Sequence, residues 1–216
     1  MIVKKEQVQR KSRRNRKETS SSLNREKRKR SLTWADDLKS EKNEFRRKLL
    51  FIGYLFNKLS KLGVTTYLVG GQAVEIYTGG QFSTGDIDIT ASNREKTSEL
   101  LLQMGFLKTG MIWLSEDLGL AVQIVDSYPS RTEKTRKIVI EGRVVNVVGV
   151  EDLIIDRLVA AKYWRSNPKL DMEQAAVLLS EFRDGLDLSY LEKRANEEKV
   201  ADYLRLLSDR LGEQNC

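Results

Sequence analysis

Tyr67-Leu-Val-Gly-Gly-Gln-Ala-Val-Glu-Ile-Tyr77, followed shortly by Ser83-Thr-Gly-Asp-Ile-Asp-Ile-Thr90, is the stretch on which the fold of this chain turns. Tyr67 to Val69 reads as a short apolar strand that breaks at Gly70-Gly71 into an amphipathic helix. Two glycines at a strand-to-helix turn permit a tight bend and let another group approach the backbone closely. The helix that starts there presents unpaired N–H groups and a positive dipole end, an arrangement that suits phosphate. The second part reads as a strand. By its two-residue period Asp86, Asp88 and Thr90 share one face, while Ile87 and Ile89 take the other and enter a core.

Two carboxylates two residues apart on one strand face repel each other. A divalent cation removes that penalty, and hard oxygen ligands suit Mg²⁺ or Mn²⁺. Alone, Gly-Gly is most often a turn and Asp-x-Asp most often a solvated strand end. In this order they form a phosphate cradle beside a carboxylate pair, the set that metal-assisted phosphoryl or nucleotidyl transfer requires. Ser83 and Thr84, just before Asp86, can bond phosphate or metal-bound water, or equally satisfy turn backbone.

Gly70-Gly71, a helix, then Asp86-Ile-Asp88 resembles the core signature of the DNA polymerase β-type nucleotidyltransferase superfamily. Within it the match is nearest to the minimal nucleotidyltransferases and the AbiEii-type abortive-infection toxins. It covers about residues 65–180 and is strongest over 67–90. The resemblance implies an α/β (α+β) fold, a mixed sheet flanked by helices. It also implies an NTP substrate such as ATP with two metal ions. Asp86 and Asp88 would be metal ligands, and Gly70, Gly71 and Gln72 would lie at the triphosphate.

The family usually adds a third acid on a later strand, between apolar residues. Here that strand reads Leu120-Ala-Val-Gln-Ile-Val-Asp126, and the framed residue is Gln123. A neutral amide ligates metal weakly through its carbonyl and is no base near neutral pH. Asp126 falls on the opposite face by the two-residue period, unless the strand ends or bulges before it. Either Asp126 supplies the third acid, or the site works with two, or catalysis is reduced or lost.

The net charge of +7 is unevenly spread. Residues 1–30 hold thirteen Lys and Arg against Glu6, Glu18 and Glu26, a local balance of about +10, which leaves about −3 for the remainder. With few apolar side chains, residues 1–31 are expected to form a disordered basic tail. It reads as an arm for RNA, or as a solvated tail. There is no histidine, which excludes His-dependent triads, a His base and His-ligated zinc. Cys216 is the only cysteine, so an internal disulfide is excluded too. No apolar run approaches a spanning helix, and no secretory signal is read at the N-terminus. A cytoplasmic protein with no membrane partner is expected.

A helix is predicted over 32–63, from a cap at Ser31 or Thr33 to a stop at Gly63, with Phe45, Leu49, Leu50, Ile52, Leu55, Phe56 and Leu59 inward. The core is expected over 64–149: after Asp88 come a helix over 93–104, strands over 106–108, 111–114 and 119–125, and a turn at Ser127-Tyr-Pro-Ser130. A hairpin over 137–148 closes it. Residues 150–216 should form a C-terminal helical subdomain. Its first helix resembles the one that follows the catalytic sheet in AbiEii-type proteins. That likeness implies that Lys162 contacts phosphate and that Asp171 and Gln174 shape the pocket. Arg157 and Glu151 read instead as ordinary helix-surface charges with i,i+4 partners.

The pattern as a whole points to an Mg²⁺-dependent nucleotidyltransferase that moves NMP from an NTP to a hydroxyl of an RNA end, a protein or a small molecule. The rival is a catalytically degenerate module of the same fold, docking nucleic acid or a cognate protein. A toxin–antitoxin pair is a narrower form of it.

Overall fold

The computed structural model describes residues 34–126, 133–164 and 167–213. The basic segment 1–31, the cap at Ser31 or Thr33, the Ser127–Ser130 turn and Cys216 lie outside the described residues.

The helix predicted over 32–63 is interrupted. Helix α1 (Trp34–Ser40) belongs to a unit spanning Met1–Lys42, and every other element to a unit spanning Asn43–Cys216. The reason is a competing cap: the Asn43 side chain accepts the Arg46 N–H at 2.9 Å and starts helix α2 (Glu44–Lys61) afresh. Helix α2 ends at Leu62–Gly63 as expected, and buries Phe51, Ile52, Leu55, Phe56 and Leu59.

Strand β1 (Thr66–Leu68) leads into helix α3 (Gly70–Tyr77), and strand β2 (Ile87–Ala91) returns antiparallel to β1. Helix α4 (Arg94–Gln103) follows, capped by Asn93. Strands β3 (Leu107–Thr109), β4 (Ile112–Ser115) and β5 (Leu120–Asp126) form a meander. Strands β6 (Thr135–Ile140) and β7 (Arg143–Val148) form the hairpin. Among the described residues these seven strands make one mixed sheet in the order β3-β4-β5-β2-β1-β7-β6, with β2 parallel to β5 and β1 parallel to β7.

Alternation explains the centre of that sheet. Ile87 and Ile89 of β2 and Val122 and Ile124 of β5 are buried, as the two-residue period requires. Helix α2 lies against β7, β1 and β6. The Phe51 and Phe106 rings meet at 5.1 Å between centroids, within the range favoured by aromatic pairs.

Helix α5 (Val150–Val159) runs into a π-helical turn (Ala160–Trp164), followed by α6 (Pro168–Glu181), α7 (Leu188–Glu197) and α8 (Ala201–Glu213). Helices α5 and α6 both pack on α3, so the C-terminal helices reach the element that opens at Gly70. Buried ion pairing fixes α5: Asp152 accepts from Arg194 Nε at 2.9 Å, the Tyr190 hydroxyl at 2.8 Å and the Lys134 N–H at 2.7 Å. Glu151, expected as a surface charge, is buried beside it. Among the described residues no helix is long and apolar enough to cross a membrane.

Candidate active site

The β1–α3 turn and β2 assemble the site through one close approach. The Val69 N–H donates to the Asp88 carbonyl at 3.1 Å, which carries the antiparallel pairing to the edge of the turn. Gly70 then takes φ = +61°, a conformation that L side chains adopt only at a cost. A Cβ at Gly70 would collide with the Asp88 carboxylate, and a Cβ at Gly71 would stand 2.9 Å from Thr84 Oγ1. The two glycines therefore do different things: Gly70 admits Asp88, and Gly71 admits Thr84. The Gly71 N–H also hydrogen-bonds the Asp88 carboxylate. The N-cap residue of α3, Val69, offers no capping side chain, and the Asp88 carboxylate takes the Gly71 N–H in its place.

Asp86 and Asp88 are both half-buried. Burial pushes the Asp88 carboxyl up to about 6, and the negative charge of Asp86 adds to the shift. Arg157 and the Gly71 N–H oppose it, while Asp156 reinforces it. Arg157 is held by Asp156 at 2.6 Å and by Asp171 at 3.4 Å. The Asp171 carboxyl is itself raised by burial, against the pull of Arg157. Helix α5 thus brings a cation and one more carboxylate into the electrostatic field of Asp88, and α6 supplies the Asp171 that pairs with that cation. Sequence reasoning gave Arg157 to the helix surface. An Arg five residues before Lys162 carried no periodic signal that separated one from the other.

The Lys162 ammonium is placed elsewhere. It donates to the Lys199 carbonyl at 2.7 Å and to Asp202 at 2.8 Å, with the Tyr163 and Tyr203 rings beside it. The expectation of a phosphate contact from Lys162 is replaced by this latch between the π-helical turn and the start of α8. Gln72 also differs from expectation: it is buried, and its Nε2 donates inward to Glu75 at 2.9 Å. Gln174 is buried near Asp171 on α6, with Oε1 lacking a hydrogen-bond partner. Ser83 is exposed and Thr84 half-buried.

Strand β5 sets Gln123 in register with Asp88. A bulge follows: Ile124 pairs with Ile89 but Asp126 pairs with Thr90, so Val125 is passed over. Asp126 therefore stands at the register position of Thr90, not where strict alternation from Gln123 would count it. Among the described residues no group of three or more His, Cys, Asp or Glu side chains is arranged as a metal site. Asp86 and Asp88 form a pair, and the chemistry of that pair fits a hard cation. Burial and the charge of Asp86 make one of its carboxyls resist ionisation, a penalty that a divalent cation would relieve.

The chain matches no protein-family model and no curated protein. Among solved structures it is similar to an antigenic nucleotidyltransferase-like protein from Paracoccidioides brasiliensis, at 16% identity and TM-score 0.52, over 74% of this chain and 91% of that one. It is also similar to ANT(2")-Ia in complex with adenylyl-2"-tobramycin, at 15% identity and TM-score 0.53, over 70% of this chain and 97% of that one. At such identities the likeness establishes the fold: the chain has a nucleotidyltransferase fold, with a mixed sheet flanked by helices.

Proposed function

We propose that the chain is a metal-dependent nucleotidyltransferase that moves a nucleoside monophosphate from an NTP to an acceptor hydroxyl. The observation that carries this reading is the approach of Asp88 to Gly70 and Gly71 at the start of α3, with Asp86 beside it. Asp86 and Asp88 hold Mg²⁺ or Mn²⁺, with the Gln123 carbonyl as a weaker ligand. When bound, the ion supplies Lewis-acid charge to the phosphoryl oxygens. Gly70, the start of α3, Ser83 and Thr84 bind and orient the phosphates. The acceptor oxygen bonds to the α-phosphorus as the bond to pyrophosphate breaks, and Asp126 takes the proton of the acceptor hydroxyl. Arg157 balances charge around Asp88 and keeps the carboxylate pair from excluding an anionic substrate.

One of the similar structures, that of ANT(2")-Ia, holds adenylyl-2"-tobramycin. For this chain the acceptor classes are an RNA end, with residues 1–31 as a basic arm, a protein such as a toxin's cognate partner, or a small molecule. The AbiEii-type reading belongs here as the narrower form of the proposal. A second reading is favoured by Gln123, which puts a neutral amide directly beside Asp88 in register: the site binds nucleotide without turnover.

Isothermal titration of Mg²⁺ with each NTP, on wild type and on an Asp86→Asn/Asp88→Asn variant, tests both. Metal-dependent NTP binding that the variant loses supports the site, and pyrophosphate release on adding acceptors supports the enzyme. Binding without release under any acceptor class supports the second reading. No binding by folded wild type refutes both.

A further inference from the structure

Helix α2 contributes a buried charge that neither the fold nor the proposed chemistry requires. Lys48 is 2% exposed and Glu75, on α3, is 2% exposed. The Lys48 ammonium lies 3.1 Å from Glu75 Oε2, and 3.2 Å from Glu44 Oε1 on its own helix. Its shortest bond goes elsewhere, to the Thr84 carbonyl at 2.6 Å. The same Glu75 Oε2 also accepts from Gln72 Nε2 at 2.9 Å.

A buried ion pair is weak evidence of a stabilising role, because desolvation of two charges offsets their attraction and apolar residues of similar size pack as well. What this pair does that a Met–Leu pair cannot is hold a carbonyl. That carbonyl belongs to Thr84, whose side chain sits over Gly71 and whose chain continues through Gly85 to Asp86. The same helix touches the loop once more upstream, where a Cβ at Gly80 would stand 3.3 Å from the Phe45 ring. The segment 78–86 has no strand pairing before Ile87; Phe82 is its one buried apolar side chain, and the residues that follow it, Ser83 to Asp86, are polar or small.

We infer that the buried Lys48–Glu75 pair is a tether that positions the Thr84–Asp86 segment, and so fixes where Asp86 stands relative to Asp88 and to the start of α3. Lys48 and Glu75 are positioning residues: Gln72 and Glu75 set the ammonium, and the ammonium sets the carbonyl. The consequence for metal and nucleotide rests on the reading of the site proposed above, whereas the tether itself does not.

The test uses the full chain, wild type and a Lys48→Met/Glu75→Gln variant. The Gln keeps an acceptor for Gln72, and the Met removes the bond to Thr84 without stranding a buried charge. Backbone ¹⁵N relaxation, without metal, should give order parameters in the rigid range near 0.85 for Gly85 and Asp86 in wild type, falling below roughly 0.6 in the variant. Val122 and Ile124 in β5 should be unchanged. Titration of Mn²⁺ with NTP should then show at least a tenfold weaker affinity in the folded variant. Mobile Gly85 and Asp86 in wild type overturn the inference even if the variant fails to fold. Equal rigidity in the two proteins overturns it, as does unchanged affinity in a loosened variant. A rigid wild type and a loosened variant, with no Mn²⁺–NTP binding by either, leave the tether standing and remove the proposed function instead.

Discussion

Replacing Asp88 by Asn should make the metal-free protein more stable near neutral pH, and the gain should disappear in acid. The Asp88 carboxyl is moved from an ordinary value of 3.8 to about 6, chiefly by burial and next by the charge of Asp86. A raised folded-state value means that the folded protein holds the proton more tightly than the unfolded chain does. That contribution to stability is fully present below 3.8 and is lost as pH rises through about 6. With about 1.36 kcal/mol for each pH unit between the two values, ionised Asp88 costs the folded state about 3 kcal/mol above that window. Asn is neutral throughout and still offers an oxygen to the Gly71 N–H. Its stability relative to wild type should therefore rise between about pH 4 and pH 6 and then level off, at up to about 3 kcal/mol above its acid value.

Urea unfolding in the presence of a chelator, at several pH values across that window, reads the difference directly, and an unchanged denaturant slope confirms that the same surface unfolds. A difference that stays flat or falls between about pH 4 and pH 6 would refute the assignment of strain to Asp88. Saturating Mg²⁺ with NTP should reverse the ranking, since a ligand that binds only the folded wild type stabilises it by mass action. The same substitution is thus expected to stabilise the empty protein and to abolish its site, the trade-off expected of a residue kept for function.

Gly70→Ala should lose about 1–2 kcal/mol from the left-handed backbone alone, and its Cβ should displace the Asp88 carboxylate. Thermal melts and Mg²⁺–NTP titration should both fall, and an unaltered variant would contradict the packing at the turn. Arg194→Met removes the Nε bond to buried Asp152 but leaves the Tyr190 hydroxyl and the Lys134 N–H in place. The expected loss is about 3 kcal/mol, the lower end for breaking a buried pair, measured by urea unfolding.

The parts of the fold that were legible in the sequence are those set by short-range periods and punctuation. Ile87 and Ile89 alternate with Asp86 and Asp88, so the strand face was readable, and Gly70-Gly71 marked the strand-to-helix turn. The strand expected over 119–125 and the hairpin over 137–148 came out within two residues of β5, β6 and β7. What escaped depended on partners distant in the chain. Lys48 looks like any charge on the polar side of a helix, and only the fold brings Glu75 and Thr84 to it. Lys162 and Arg157 lie on one helical run with similar local surroundings. Asp202, forty residues on, claims the first, while the second pairs with Asp156 and Asp171 within electrostatic reach of Asp88. The Asn43 cap was missed, because the apolar spacing that begins at Phe45 was extended back to Ser31 across the break between α1 and α2.

The bulge in β5 bears on the neutral residue beside the carboxylate pair. Gln123 is in register with Asp88, whose carboxyl already resists ionisation under the charge of Asp86. A third carboxylate at position 123 would add another like charge at the most crowded point of the row and push Asp88 further toward its protonated form, away from the form that the proposed metal site needs. A neutral amide there avoids that penalty. Passing over Val125 then sets the Asp126 backbone in register with Thr90. On that argument Gln123 can coexist with turnover, and loss of pyrophosphate release in an Asp126→Asn variant is the test of the base proposed above.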